Sequence, residues 1–299
     1  MSQDPEYPCP LCGVASPLRF TPSARHHGAL NSTIFSCTNP HAGDHGPIYW
    51  CAACRLGFGP TPNAELTVRL YSDVEDPTYL TEMDSRRRHA QAVLRTIERW
   101  HRPGSLLEIG SQVGILLRAA EDRGWTATGV EPSRWAVATG RALLGVNLVT
   151  GSLEEAEFAP GSVDCIVMVD VLEHLVDPLS ALRRCRTWLA PDGVLALSTV
   201  NMGTFAAKVM GSQWPGFMDM HLTYFTPQSL REFLRRSNFR WVASRPDRRA
   251  YSLGYVGGRL QHNSWPLRIA GRVAGLPGLR RIRFVFPTKD LILVVAKGE

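Results

Sequence analysis

The chain has 299 residues, of which 44% are hydrophobic and 20% are charged, and its formal net charge is +6. This composition is typical of a soluble globular protein, and the length suits one domain of roughly 200 to 250 residues with a small additional module. The first residues show neither a basic start nor an apolar core, so we expect no signal peptide. No apolar run approaches the roughly 20 residues of a spanning helix, so we expect a cytoplasmic protein.

Two C-x-x-C knuckles stand at the start of the chain, and their cysteines are Cys9, Cys12, Cys51 and Cys54. Cytosolic cysteines are expected to be reduced, and this spacing lets two thiolates of one tight turn reach a single tetrahedral ion. We therefore predict a zinc-ribbon-like module with a structural zinc over residues 1–62. Cys37 and His41 lie between the knuckles and could replace one ligand, and an exposed redox pair is the alternative interpretation.

A helix is predicted from residue 79 to residue 100, because apolar residues fall on one face at spacings of three and four. Three consecutive arginines within it, Arg86, Arg87 and Arg88, are interpreted as a solvated face. From residue 105 onward strands alternate with helices, which predicts a parallel sheet with crossover connections. The predicted strands cover residues 105–108, 126–130, 146–150, 162–169, 194–199, 240–244 and 291–296.

The turn after the first of these strands carries Gly110 and Gly114 and leads into a helix. Glycine lets the backbone pass close to a ligand, and the N–H groups that open the helix point at that ligand, so the turn is a candidate nucleotide site. Glu131 ends the next strand about 20 residues later, where a carboxylate can accept both ribose hydroxyls. A dinucleotide fingerprint would need two further glycines, but the chain has Gln112 and Ile115 there, which disfavours a pyrophosphate ligand.

This pattern of an acidic residue, two glycines and a distant carboxylate resembles the first motif of class I S-adenosylmethionine-dependent methyltransferases, with Gln112 in place of the usual central glycine. The resemblance implies an α/β, Rossmann-like fold over residues 63–299, with a mostly parallel seven-stranded sheet whose last strand is antiparallel. It also implies that S-adenosylmethionine binds at the carboxyl edge of that sheet. The implied cofactor-binding residues are Glu108, Gly110, Ser111, Gly114, Glu131, Ser152, Leu153 and Asp170.

The same resemblance gives these residues their expected roles. Glu131 would bind the ribose, and the turn at 110–114 would lie beneath the amino-acid end of the cofactor. Ser152 and Leu153 would flank the adenine, and Asp170 would lie near the methionine portion.

Later stretches narrow the resemblance to a subgroup. The Asp-Val-Leu-Glu-His run at 170–174 and the Leu-Ala-Pro-Asp-Gly run at 189–193 look like the region after the fourth strand of small-molecule methyltransferases, including those of quinone and sugar biosynthesis. The His-Leu-Thr-Tyr-Phe-Thr-Pro run at 221–227 resembles enzymes of polysaccharide and secondary-metabolite pathways, some of which have N-terminal zinc modules. Residues 202–225 are expected to form an acceptor-binding lid.

A base with a pKa near neutrality would help an alcohol or phenol acceptor, and histidine suits that role. His221, on the lid, is the first candidate, and His174 is the second. Tyr224, beside His221, is the third predicted catalytic residue. Each histidine could equally be a packed, hydrogen-bonded residue. Glu173 with His174 could also bind a divalent ion, as in some relatives, but two ligands are too few to define a site.

The positive charge is concentrated near the C-terminus, where residues 231–299 contain 15 Lys or Arg against 4 Asp or Glu. Residues 1–230 contain 18 and 23, so their net charge is −5. A basic insertion at about 248–289 carries part of this charge and could lie on an anionic membrane or hold a phosphorylated substrate. A helical excursion packed on the core, with its arginines solvated, is the alternative.

These observations favour methyl transfer from S-adenosylmethionine to a small-molecule, sugar or other glycan, or secondary-metabolite acceptor, at an oxygen atom. One alternative is an RNA methyltransferase whose zinc module reads the nucleic acid, which the lack of basic character in that module disfavours. A third interpretation is a cofactor-binding protein without catalysis, suggested by Gln112 and by Ser152 where an acidic residue is common. The acceptor and the oligomeric state stay open.

Overall fold

The computed structural model describes residues 6–23, 32–38, 44–260, 265–279, 282–285 and 291–298. The strands in this part of the chain are β1 (Tyr7–Pro8), β2 (Ala15–Ser16), β3 (Leu18–Phe20), β4 (Ile48–Cys51), β5 (Leu56–Phe58), β6 (Ser105–Ile109), β7 (Thr126–Glu131), β8 (Leu148–Thr150), β9 (Val163–Val169), β10 (Leu189–Val200), β11 (Thr223–Tyr224), β12 (Phe239–Pro246), β13 (Ala250–Ser252), β14 (Arg283–Val285) and β15 (Leu291–Gly298). The α-helices are α1 (Ala64–Ser72), α2 (Met83–Ile97), α3 (Ile115–Glu121), α4 (Arg134–Leu144), α5 (Pro178–Trp188), α6 (Phe205–Met210), α7 (Pro227–Arg236), α8 (Leu253–Leu260) and α9 (Trp265–Ala274).

Seven strands form the central sheet, in the order β12-β15-β10-β9-β6-β7-β8. The five strands from β10 to β8 run parallel, and β15 is antiparallel to both β10 and β12. This confirms the predicted α/β architecture with an antiparallel last strand. The strand order reverses between β6 and β9, and open α/β sheets bind their ligands at such a switch point, beyond the carboxyl ends of the strands.

Helices cover both faces of this sheet, so its inner strands are apolar on both faces. Leu107 and Ile109 of β6 pack on one face, with α5, α7 and the N-terminal module. Leu106, the residue before Leu107, points to the opposite face of the strand and packs against α2, α3 and α4. The strand ends that carry the candidate site are therefore fixed by a core on each side.

The N-terminal module has a small sheet of its own, in the order β11-β5-β4-β3. Its edge strand β11 comes from the predicted lid: Thr223 pairs with Phe58, and Tyr224 pairs with Gly57. The hydroxyl of Thr226, the N-cap of α7, also donates to the carbonyl oxygen of Arg55 at 2.9 Å. The module and the lid thus share one sheet.

Helix α1 follows the module, where the sequence pattern predicts no element. Asn63 begins it, since its side chain accepts a hydrogen bond from the backbone N–H of Leu66 at 2.9 Å. Helix α1 brings one face to the carboxyl edge of the sheet and becomes part of the wall of the site.

The insertion between β12 and β15 forms an antiparallel pair, β13 with β14, and two helices, α8 and α9, that pack on each other. Ile269 and Val273 of α9 are exposed, whereas Arg280 and Arg281 lie outside the described residues. Membrane contact through this region stays a prediction. In the described ranges, no helix combines the length and the apolar character needed to cross a bilayer.

Candidate active site

A cavity of about 1380 Å³ opens at the carboxyl edge of the parallel strands. Its wall is formed by the turn after β6, the ends of β7 and β9, helices α1 and α2, the lid and the start of the insertion. Small-ligand sites usually have volumes of roughly 300 to 1,000 Å³. The cavity is therefore large enough for a nucleoside-sized cofactor and an acceptor side by side.

The turn after β6 has left-handed backbone at three positions. Gly110 has φ 68°, and a Cβ there would lie 2.5 Å from Cγ2 of Val171, so only glycine fits. Gly114 has φ 78° and begins α3 beneath the turn rather than on the cavity wall. Gln112 has φ 50°, the conformation that a glycine would adopt without strain, so the backbone keeps the course expected of the motif.

Glu131 lies at the end of β7 and is buried, with 6% of its surface exposed. Its Oε2 accepts the backbone N–H of Gln112 at 2.8 Å, and its Oε1 accepts that of Ser133 at 2.9 Å. Burial raises the pKa of Glu131, and the two N–H bonds oppose that rise. The carboxylate is thus held by both loops, and each oxygen keeps a second acceptor position for a ligand hydroxyl.

Glu108 and Ser111 also line the cavity and are buried. Burial, reinforced by the charge of Glu131, holds the pKa of Glu108 well above its usual range. Oε2 of Glu108 is buried and has no hydrogen-bond partner among the described residues. A positively charged ligand beside these two carboxyl groups would satisfy that oxygen and would lower both pKa values.

Ser152 and Leu153, predicted to flank the adenine, are buried in the cavity wall beyond Glu131. The backbone N–H of Ser152 donates to Oε2 of Glu155 at 2.9 Å. Leu153 extends the core cluster that contains Ile109 and Val130. Their place is compatible with the predicted role, which stays a prediction.

Asp170 has φ 55° and forms an ion pair with Arg249, whose Nη2 lies 2.8 Å from Oδ1. Arg249 also pairs with Asp247 at 2.9 Å, and Asp247 accepts hydrogen bonds from Oγ of Ser198 and Nε2 of His89, each at 2.7 Å. Burial alone would raise the pKa of Asp170 and Asp247. The charge of Arg249, together with the charge of His89 and the hydrogen bonds that the two carboxylates accept, outweighs burial and lowers both pKa values. The insertion thus holds the loop after β9.

The two predicted histidines meet at the other end of the cavity, with ring centroids 4.7 Å apart. Nδ1 of His174 lies 3.0 Å from the carbonyl oxygen of Met220, and Nδ1 of His221 lies 2.9 Å from that of Gly216. A carbonyl only accepts, so both Nδ1 atoms carry the proton and both Nε2 atoms are acceptors. Burial and the neighbouring His174 lower the pKa of His221 to about 3, and burial lowers that of His174.

Glu173 completes this cluster. Its Oε2 accepts the hydroxyl of Thr199 at 2.8 Å, and its Oε1 is buried without a partner among the described residues. Burial and the charge of Asp170 raise the pKa of Glu173 to about 8. One ligand atom from each of Glu173, His174 and His221 lies within 4.8 Å of the others, so His221 would be the third ligand if a divalent ion were bound here.

Tyr224, the remaining predicted catalytic residue, is 1% exposed and is absent from the cavity wall. Its hydroxyl donates to the carbonyl oxygen of Met218 at 3.1 Å, and its ring packs 6.0 Å from that of His221. The structure places Tyr224 behind His221, where it supports the lid.

The four predicted zinc ligands are brought together: the sulfur atoms of Cys9, Cys12, Cys51 and Cys54 all lie within 4.8 Å of one another. Gly13 and Arg55, which follow the two knuckles, both have left-handed backbone, as tight turns around a shared ion require. Four thiolates suit a tetrahedral zinc ion. Cys37 lies instead at the cavity, 3.6 Å from Nε2 of Gln112, and His41 lies outside the described residues.

The sequence analysis did not identify two residues of the cavity wall, Arg249 and Arg86. Arg249 gives no local signal, because its partner Asp170 is 79 residues away. Arg86 was assigned to a solvated face, and this is wrong: Arg87 and Arg88 are exposed, but Arg86 is half-buried on the cavity wall. Arg86 lies about one helical turn after Glu82, on the face of α2 that lines the cavity. This spacing is the signal that could have identified Arg86 as a cavity residue.

A family model described as a methyltransferase domain matches residues 80–244, more than half of the chain. The chain belongs to the class I S-adenosylmethionine-dependent methyltransferases. Among curated proteins it is similar to the ubiquinone biosynthesis O-methyltransferase of Xanthomonas campestris pv. campestris, at 30% identity over 147 residues, covering 44% of this chain and 62% of that protein. It is similar to the enzyme of the same name from Pseudomonas aeruginosa at 30% identity over 118 residues, covering 36% and 50%.

The match therefore spans between half and about three-fifths of the length of these relatives. Among solved structures, a chain from the complex of the Haloferax volcanii Trm112 methyltransferase activator with a methyltransferase aligns with a TM-score of 0.50 at 18% identity. The alignment covers 76% of this chain and 99% of that one, and it supports the methyltransferase fold.

Proposed function

We propose that this methyltransferase transfers a methyl group from S-adenosylmethionine to a hydroxyl oxygen of a small-molecule acceptor, a class that includes sugars and secondary metabolites. The observation that carries the proposal is the carboxylate of Glu131. It is held by the N–H groups of Gln112 and Ser133 beside a turn that only glycine can make, and it faces a cavity with room for two ligands. The O-methyltransferase names of the similar proteins support oxygen as the acceptor atom.

The residues of the cofactor end fit the cofactor. When bound, S-adenosylmethionine supplies a methyl group on a positively charged sulfur atom. Glu131 would accept the ribose hydroxyls, and the unpartnered Oε2 of Glu108 suits the positive charge of the amino-acid end. Asp170, fixed by Arg249, would lie near the methionine portion.

At the acceptor end, Nε2 of His221 is oriented to receive a proton, since Nδ1 is already bonded to the carbonyl oxygen of Gly216. The acceptor hydroxyl would donate to this Nε2 and lose its proton there as the new carbon–oxygen bond forms. The pKa of His221, about 3, is below the near-neutral value expected of a base from the sequence, so the imidazole is neutral but holds an accepted proton weakly. Alignment of the reacting atoms at about 3 Å in a dry cavity would then contribute much of the rate enhancement. A divalent ion on Glu173, His174 and His221 would instead lower the pKa of the hydroxyl itself.

We further propose that Cys9, Cys12, Cys51 and Cys54 bind a structural zinc ion within a module of residues 1–62, and that residues 63–299 form the catalytic domain. Because the module contributes β5 to the sheet that contains β11, its role would be to support the lid.

The test is incubation of the wild-type protein with methyl-labelled S-adenosylmethionine and a panel of catechols, phenols and sugar nucleotides, with product detection by mass spectrometry. The expected result is a labelled ether product in at least one class and release of S-adenosylhomocysteine in equal amount. Methylation at nitrogen or carbon alone would contradict the assignment to oxygen.

A further inference from the structure

Arg86 lies on the cavity wall, and no described residue forms an ion pair with it. In the described part of the chain it also forms no hydrogen bond, and its Nε atom is buried and unsatisfied. Arg87, the next residue of α2, is exposed and pairs with Asp122 at 3.0 Å. A guanidinium stays charged at any pH at which the protein is folded, and its removal from water is costly unless an anion or an acceptor compensates.

The surroundings of Arg86 hold it in place without neutralising it. Its guanidinium carbon lies 3.6 Å from the centroid of the Tyr79 ring, a close cation–π contact. Tyr251 and Tyr255, stacked at 5.1 Å, line the same part of the cavity. Arg249, the other half-buried arginine of the described wall, is already paired with two carboxylates.

The position of Arg86 relates it to the cofactor turn. Tyr79 packs against the cluster that contains Val113 and Ile115, the residues on either side of Gly114. Arg86 and residues 110–112 line the same cavity, so we infer that the guanidinium stacked on Tyr79 is on the side of the cavity that carries this turn. This is the end of the cavity where the proposed function places the amino-acid portion of the cofactor.

That portion carries two opposite charges, and the wall offers groups for both. The buried carboxyl groups of Glu108 and Glu131 suit an ammonium or a sulfonium but would repel a carboxylate. A carboxylate at this end therefore needs a cation, and Arg86 presents a planar fork of donors that matches two carboxylate oxygens.

We propose that Arg86, stacked on Tyr79, binds the carboxylate of a ligand in the cavity. This inference rests on the proposed function, and the place of Tyr79 against the turn favours the carboxylate of S-adenosylmethionine itself as the source. An acidic acceptor is the other source with the same chemistry.

The experiment compares two ligands that differ only in this group: S-adenosylhomocysteine, and its decarboxylated analogue S-adenosyl-3-thiopropylamine, which keeps the ammonium. Calorimetry would measure both with the wild type, Arg86→Met, Arg86→Lys and the exposed control Arg88→Met. Hydrogen bonds to charged groups contribute about 1.5–3 kcal/mol, so Arg86→Met should weaken S-adenosylhomocysteine by roughly 10- to 100-fold. The analogue should change by less than about twofold, Arg86→Lys should restore part of the loss, and Arg88→Met should change neither.

If the acceptor is the source, Arg86→Met will leave both affinities unchanged and raise the KM of acidic acceptors only. Equal weakening of both ligands, or no change in either affinity or in any acceptor KM, would overturn the proposal. A wild type that binds neither ligand would overturn the proposed function first, and a matching thermal melt of Arg86→Met and Arg86→Lys excludes loss of folding as the cause.

Discussion

The two ends of the cavity are built in different ways. The cofactor end comes from one continuous unit, residues 105–170, in which each strand delivers its last residues to the same edge of the sheet. The acceptor end is assembled from separate segments: helix α1, the loop after β9, the lid and the start of the insertion. Side chains at the first end are fixed by strand termini, whereas His221 at the second end depends on contacts between segments far apart in the chain.

This difference has a functional consequence. A cofactor common to many enzymes can be held by a conserved local geometry of strand, turn and helix, and acceptor choice can then change through the other segments. Substitutions at the two ends should therefore have different effects. Substitutions at the acceptor end should alter turnover or acceptor KM, and substitutions at the cofactor end should alter cofactor affinity.

The largest expected effect is at His221. His221→Ala removes the proton acceptor, so kcat should fall by about 10²- to 10⁴-fold, while the affinity for S-adenosylhomocysteine stays within about twofold. Steady-state kinetics measures kcat, and calorimetry measures the affinity for S-adenosylhomocysteine. Tyr224→Phe, which removes only the bond to Met218, is the matched control and should lose less than about tenfold.

An unchanged kcat in His221→Ala would remove the histidine from the mechanism. Loss of wild-type activity on chelation, with recovery on adding a divalent ion, would instead assign the ligand atoms of Glu173, His174 and His221 to a metal.

The next largest effect is on stability, at the buried ion-pair network of Asp247 and Arg249. The pKa of Asp247 is lowered in the folded state by Arg249 and His89. The stability that this carboxylate contributes is therefore fully present above the unfolded pKa, near 3.9, and is lost as pH falls below it. Asp247→Asn should lower the free energy of unfolding by roughly 3 kcal/mol at pH 7 and flatten its decline in acid.

Urea unfolding from pH 7 to pH 3 measures both quantities. Asp122→Asn, at an exposed pair with Arg87 and Arg118, is the control and should change stability by less than about 1 kcal/mol. Equal effects of the two substitutions would show that the buried network contributes little.

Loss of the predicted zinc ion tests whether the lid depends on the N-terminal module for its structure. Cys54→Ser should lose zinc in elemental analysis and lower the melting temperature by roughly 5–10 °C, equivalent to about 2–3 kcal/mol in a chain of this size. Acceptor KM should rise because β5 supports β11, whereas cofactor affinity should not change. Cys37→Ser, outside the sulfur cluster, should keep its zinc; full zinc content in both Cys9→Ser and Cys54→Ser would refute the four-cysteine site.

The smallest effect is expected at Gln112. Its left-handed backbone costs a non-glycine residue on the order of 1 kcal/mol, and its bond to Glu131 uses the backbone N–H. Gln112→Gly should therefore raise the free energy of unfolding by at most about 1 kcal/mol and leave cofactor affinity within about twofold. A large loss of affinity would mean that the Gln112 side chain itself contacts the cofactor.

The residues proposed for the cofactor end could be expected to lie together because their sequence signals are local. Glu131 lies where strand length and the spacing from Gly110 require, and Gln112 keeps a glycine-like backbone although the fingerprint residue is absent. One predicted strand boundary differs from the observed one: β10 begins at Leu189 rather than at 194 because Leu189 pairs with Val163.

The acceptor end was only partly predictable, because its contacts are distant in the chain. His174 and His221 were identified, but no local pattern shows that their rings meet, or that Tyr224 turns its hydroxyl to Met218. Arg249 depends on a partner 79 residues away. Arg86 stacks on Tyr79 and shares the cavity wall with Tyr251 and Tyr255 of the distant insertion, so a periodic helix pattern could not distinguish it from its two exposed neighbours.

The central claim is that the carboxylate after β7 and the turn after β6 together receive an adenosyl cofactor. Calorimetric titration of S-adenosylhomocysteine into the wild type and Glu131→Ala tests it most directly. The account predicts one-to-one binding to the wild type and a loss of about tenfold or more in Glu131→Ala, since hydrogen bonds to the ribose are removed. Absence of binding to the folded wild type, or equal affinity in both proteins, would contradict it.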